Sequence, residues 1–210
     1  MDNVKEYESQ IVDLENFFKK ELKAFNDVVA DESKPDAETP EEEQAEYVVP
    51  SLLSPELKAA LMLGLTQELV QSSLWKSLAN QMQRLGYFGT QKYFTKESAE
   101  ELGHYQIIVD FMNDLGDMAD VPMIEAPTAV AGEIGDALVI AYNKEVEVYN
   151  LYKSIYALAV QSDSVVAQFL LQFLQIQKEA VGAYGDLISR YKVADATREI
   201  LEFDEYIGEL

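Results

Sequence analysis

The chain has 210 residues, 16 basic and 38 acidic, with a formal charge of −22, 48% hydrophobic residues and no cysteine. That length suits one core-forming domain with room for an appendage, and the apolar content excludes wholesale disorder. The missing cysteines exclude a disulfide framework, a thiolate metal site and a thiol nucleophile. The charge excludes a nucleic-acid binder, because each phosphate contact needs a cationic partner; it favours cations, whether metal ions or a basic partner. No run of about 18 apolar residues is present to span a membrane, and the opening MDNVKEYESQ carries neither a signal-peptide nor a transit-peptide pattern. A cytoplasmic protein is expected.

Residues 1–30 predict one amphipathic helix. Val4, Tyr7, Ile11, Leu14, Phe18, Phe25 and Val28 follow a 3/4 spacing, with Leu22 covering the break at Glu21. Such a stripe has no core of its own, so it must dock on the main domain, on a second copy, or on a protein partner. Residues 31–50 predict an acidic linker. Over 31–46 it holds eight acids against one lysine and no large apolar side chain, too little to fold alone.

The main domain, residues 51–210, begins at Ser54-Pro55-Glu56, a serine cap followed by proline in the first helical turn. The pattern predicts a first helix over 55–85 closed by Gly86, and a second from about Thr90 to Leu115 closed by Gly116. Residues 117–132, with Pro122 and Pro127, make a poor helix and are far too long for a tight turn; they read as a crossover travelling the length of a bundle. A third helix over about 133–160, a polar break at 161–164, a fourth helix to about Tyr191 and a short fifth over 196–207 complete an all-α, up-down-down-up four-helix bundle.

In such a bundle the polar residues on inward faces are the ones that can carry chemistry. His104 is the only histidine, and it follows Glu101 by three residues, a spacing that puts both side chains on one helix face, where they can grip one ion. A surface histidine beside an acid has the same pattern. Glu68 sits among Leu65, Leu69 and Leu74; Glu145 among Val139, Tyr142, Val146 and Tyr149; Gln177 in the most apolar stretch of the fourth helix. Each helix thus offers a polar side chain near its middle. Carboxylates buried alone are costly, whereas several converging on a cation satisfy one another.

From Leu53 to the C-terminus the sequence resembles the ferritins. The likeness lies in LSPELKAAL, the EL-x-x-SS around Glu68, AEELGH, YNKEVEVY, FLLQFLQIQKEA and the closing ILEFDEYIGEL. Glu68, Glu101, Glu145 and Gln177 follow at intervals of 33, 44 and 32 residues. Folds of this class project glutamates from two helices and Glu-x-x-His motifs from the others into the bundle core. The resemblance implies an iron-storage protein and ferroxidase. Glu101 would bridge two irons, Glu68 and His104 would hold one, Glu145 the other, and Gln177 would position water or dioxygen, with Ala180 at the partner position. It implies Fe(II) and dioxygen as substrates and a homo-oligomeric cage, of 24 subunits in this family. Leu102 stands where haem-binding relatives carry methionine, so no haem is expected.

Several positions depart from the family pattern. Trp75 replaces a tyrosine two turns after the first ligand; it can donate an electron, or it can simply fill volume. Ala167 and Leu170 stand where animal ferritins have acidic pore residues, and Gly103 and Gln106 where mineral-nucleating acids are found. Glu100 and Glu179 match positions that bind a third iron in some bacterial relatives. An alternative reading is a structural or cargo protein that kept the bundle and uses its N-terminal helix to join a larger assembly.

Overall fold

The computed structural model describes residues 50–210; the helix expected over 1–30 and the linker over 31–50, apart from its last residue, lie outside the described residues. Every regular element described is helical: α1 Pro55–Leu85, α2 Phe88–Asp114, α3 Ile134–Ser162, α4 Ser164–Thr197 and α5 Ile200–Ile207.

Local chemistry sets most boundaries. The Ser54 side chain accepts from the Leu57 amide at 3.2 Å and Pro55 opens the first turn, so α1 starts where the sequence places it. It stops at Gly86, whose φ of 91° is left-handed and open to glycine at little cost. Asp163 alone separates α3 from α4. It ends α3 through its N–H to the Ala159 carbonyl at 2.8 Å, and its carboxylate caps α4 by accepting from the Val165 and Val166 amides at 2.8 and 3.1 Å. The polar break is therefore one residue rather than four. The fourth helix also runs past Tyr191, because Ala194 continues its buried face; Arg198, at φ 63°, ends it and delays α5 to Ile200.

α2 begins at Phe88, two residues ahead of the expected Thr90, because its cap comes from far along the chain. Asp204 on α5 accepts from the Gly89 amide at 3.0 Å, the Thr90 amide at 2.8 Å and the Thr90 hydroxyl at 2.7 Å. Position 89 must be glycine, since a Cβ there would lie 1.7 Å from the Asp204 carbonyl oxygen. Lys92 donates to the Gly208 carbonyl at 2.5 Å, and Lys96 to that of Leu210 at 2.5 Å.

Contacts fix the helix directions. Ser72 meets Ser98 and Trp75 meets Phe94, while Glu68 faces His104, so α1 and α2 are antiparallel. The crossover leaves near the start of α1, where Asp117 takes hydrogen bonds from Ser51 and Lys58. It arrives at the other end of α1, where the Gln81 amide donates to the Ala129 carbonyl at 3.0 Å and accepts from the Ala131 amide at 2.8 Å. α3 therefore starts at the far end and runs parallel to α2, and α4 returns: the up-down-down-up order the sequence predicts.

The apolar core is divided. One cluster holds Trp75, Phe94, Leu138, Tyr184 and Phe203; the other holds Leu57, Leu61, Ile108, Tyr152 and Phe173. Between them, at the same level on all four long helices, lie buried Glu68, Gln71, Ser72, Ser98, Glu101, Glu145 and Gln177.

Replacing Asp204 with alanine leaves two backbone amides and a threonine hydroxyl short of their acceptor. Thermal unfolding of Asp204→Ala should show a loss of roughly 1–3 kcal/mol, a drop of several degrees in Tm, with α2 fraying first by amide hydrogen exchange.

Candidate metal centre

The polar layer is built from the middle turns of the four long helices. On α1, Glu68, Gln71 and Trp75 share the inward face, the 3/4 spacing of a helical stripe. α2 contributes Glu101 and, one turn on, His104; α3 contributes Glu145; α4 contributes Gln177. All seven are buried except His104, which is half-buried.

Glu68, Glu101 and His104 each offer a ligand atom, all within 4.8 Å of one another, which is the arrangement needed to hold one cation. His104 Nδ1 stands 2.8 Å from Glu101 Oε2 and 3.6 Å from Glu68 Oε2, the latter too long for a hydrogen bond. Two further donors hold the carboxylates from outside. Trp75 Nε1 donates to Glu101 Oε1 at 3.0 Å, and the Tyr152 hydroxyl donates to Glu68 Oε1. Each glutamate thus has one oxygen engaged by an aromatic donor and the other facing His104. Trp75 fills core volume and also orients Glu101, a role beyond the two the sequence leaves open for it.

Glu145 and Gln177 line a cavity of about 360 Å³ together with Glu101, His104, Glu97 and Tyr184. Four buried oxygens in this layer have no hydrogen-bond partner: Glu68 Oε2, Gln71 Oε1, Glu145 Oε2 and Gln177 Oε1. Orphan acceptors at this depth are expensive, roughly 1–3 kcal/mol each and more for charged groups. Four of them, one on each of four side chains at one level, make a donor set fitted to hard cations. Oxygen-rich donors with a single imidazole suit Fe(II) by ligand type.

Electrostatics point the same way. Burial is the largest cause pushing Glu145 up to about 9, with the negative charge of Glu101 adding to it. Burial likewise raises Glu68, against the lowering effect of His104. For His104, burial acts downward, but the hydrogen bond to Glu101 and the negative charges of Glu101 and Glu68 outweigh it and hold the imidazole well above its usual range. Without a cation the layer keeps protons in its place.

Of the outlying candidates, Glu100 and Glu179 are exposed but line the same cavity, with Lys96 pairing to Glu100 at 3.7 Å. Ala180 lines it as well. Ala167 and Leu170 are buried in the bundle. Three participants escape sequence reasoning. Gln71 and Tyr152 look like ordinary positions on helical faces, although Gln71 falls one turn from Glu68. Glu97 lies one turn before Glu101 and accepts from the Tyr184 hydroxyl at 3.0 Å; burial foremost lifts its carboxyl to about 7.

Four long helices, a full-length crossover and inward carboxylates define a carboxylate-lined bundle of the kind that holds metal ions. Residues 58–193 match the model of the ferritin-like domain, and the chain belongs to that family. It is 24% identical over 144 residues to a bacterial non-heme ferritin of Bacteroides fragilis, covering 68% of this chain and 91% of that one. It is 28% identical over 129 residues to that of Staphylococcus epidermidis, covering 61% and 78%. Among solved structures, an open-pore ferritin of the hyperthermophilic archaeon Archaeoglobus fulgidus superposes with a TM-score of 0.72 at 22% identity, over 74% of this chain and 97% of that one.

The raised Glu145 carboxyl fixes the sign of a pH dependence. Below its ordinary value of 4.5 it is protonated folded or unfolded; between 4.5 and about 9 only the folded chain keeps the proton. Its stabilising contribution is therefore complete at low pH and is lost as pH rises towards 9. Thermal scans of metal-free protein should show Tm falling from pH 5 to pH 9. In Glu145→Gln the slope should flatten, with a gain at pH 8 of about 1–3 kcal/mol.

Proposed function

We propose that this protein stores iron and oxidises it on entry: a ferroxidase acting on Fe(II) and dioxygen at a two-metal site inside the bundle, assembled into a hollow homo-oligomeric cage. The observation that carries the reading is the set of four orphan buried oxygens beside the Glu68–Glu101–His104 cluster. The named relatives are ferritins, and that kinship is what supports a cage of 24 subunits.

Fe(II) is substrate here. Glu68 and His104 would hold one ion, Glu145 and Gln177 the other, and Glu101 would bridge them; two Fe(II) side by side can pass two electrons to one dioxygen. The chain's own part is to arrange charge. Glu68 and Glu145 must give up protons for the ligands to act, and His104 must release its own from Nδ1, so uptake of iron expels protons. Trp75 and Tyr152 keep Glu101 and Glu68 turned inward meanwhile. The two apolar clusters exclude bulk water from both sides of the layer, which strengthens every interaction in it. The cavity lined by Glu97, Glu100 and Glu179 supplies an acidic approach.

Glu101→Ala and His104→Ala should each slow Fe(III) formation at least about 10-fold, followed by near-ultraviolet absorbance after air is admitted to Fe(II)-loaded protein. Light scattering should report an unchanged particle size. Oxidation that proceeds at the wild-type rate in both variants would sink the assignment.

A further inference from the structure

The fully buried Gln71 stands outside the ligand set of Glu68, Glu101, His104, Glu145 and Gln177. It lies on α1 one turn after Glu68 and one turn before Trp75, facing the layer. Its amide nitrogen stands 3.5 Å from Glu101 Oε1, the oxygen that also receives the Trp75 N–H, and the same amide acts on Glu145, whose carboxyl it draws downward. Its carbonyl oxygen has no partner at all. Leucine or methionine would fill this volume without burying an unpartnered amide oxygen, which is costly to desolvate. Some interaction must offset that cost.

The register shows which. α1 and α2 are antiparallel, so the centre has two ends. His104, Glu68 and Tyr152 occupy one; Gln71 and Trp75 lie towards the other, with Glu101 between. At the His104 end the donor set is two carboxylates and an imidazole. At the other end Glu145 and Gln177 each leave one oxygen unpaired, and Gln71 leaves a third. A hard divalent cation prefers six or more oxygen ligands, or several plus water, so Glu101, Glu145 and Gln177 leave room in that shell for a further protein oxygen.

We propose that Gln71 is a further metal ligand, giving its amide oxygen to the cation held at the Glu145 end. The inference rests on the two-metal reading above. In the metal-free protein the amide nitrogen stands in for the cation, 3.5 Å from Glu101 Oε1 with its N–H dipole towards the carboxyls. When a cation enters, the carboxyls turn to it, the amide no longer has to serve them, and its oxygen completes the coordination. A neutral ligand at this position also keeps the local charge down, since the layer already carries three glutamates.

Anaerobic Co(II) titration tests this without turnover. Wild-type protein should take up two Co(II) per chain in two resolvable steps of visible absorbance. Gln71→Met keeps length and volume but loses the hard donor. It should weaken the second step by roughly 10–100-fold and intensify the band of that Co(II), as loss of a ligand lowers its coordination number; the first step should not move. Gln71→Glu, which keeps an oxygen donor, should restore the second step. A Gln71→Met titration identical to wild type overturns the inference, and so does weaker binding with an unaltered band, which would make the amide a positioning residue only. Wild-type protein that takes up a single Co(II) overturns the two-metal reading and this inference together, so the two failures are distinct. Should Gln71→Met not fold, Gln71→Glu decides: a second Co(II) with a shifted band supports ligation, and an unshifted band overturns it.

Discussion

The whole bundle is organised around one constraint: three glutamates, two glutamines and a histidine must share a layer at mid-height with little water. A continuous apolar seam would join four helices at less cost, and the two hydrophobic clusters show the chain building one on either side. The layer between them is tolerable only because each charged group has part of its need met from the protein and the rest reserved. Glu101 is served by Trp75 and His104, Glu68 by Tyr152, and the leftover oxygens stay unpartnered within the layer. Removing a partner from such a layer is far worse than never having built it, so each carboxylate and its supporting donor stand or fall together.

The supporting donors are aromatic, and that choice serves two ends. Trp75 and Tyr152 are among the largest fully buried side chains, so each anchors one of the apolar clusters while its polar edge reaches into the layer. Trp75 lies 6.0 Å from Phe94 and 5.9 Å from Tyr184; Tyr152 stacks on Phe173 at 5.0 Å. Their rings cannot rotate without disturbing the packing, so Glu101 and Glu68 inherit the rigidity of the core. Gly64 belongs to the same device: a Cβ there would come within 3.2 Å of the Tyr152 ring, and its absence lets the phenol lie close against α1.

Much of this is legible in the residues, and the pattern of what is not is physical. Glu-x-x-His, Glu68, Glu145 and Gln177 stand out because charge or amide in an apolar stretch violates the helical period. The helix start at Ser54 and the stop at Gly86 are legible for a related reason: their causes lie within four residues. The start of α2 is not, because its cap, Asp204, is 115 positions away from Gly89 in the chain. Tyr152 is hidden since a tyrosine on an apolar face already conforms to pattern, and nothing local says its hydroxyl will meet Glu68 across the bundle. Gln71 is hidden behind its neighbours Ser72 and Ser73, a polar run that reads as a solvated face; only the packing of α2 and α3 against that face shows it is fully buried.

Charge on the surface and charge in the layer then work in sequence. A chain with 38 acids against 16 bases surrounds itself with counter-cations and steers more towards acidic rims such as the one formed by Glu100 and Glu179. That attraction is not selective and is screened within about 10 Å at ordinary ionic strength. Deeper in, burial holds protons on carboxyls instead, on Glu97 up to about 7 and on Glu145 up to about 9. Any cation entering the layer would have to displace those protons, and a divalent ion would gain about twice the attraction of a monovalent one from each carboxylate it met. The graded protonation from the rim inward comes from the same burial that makes the layer costly.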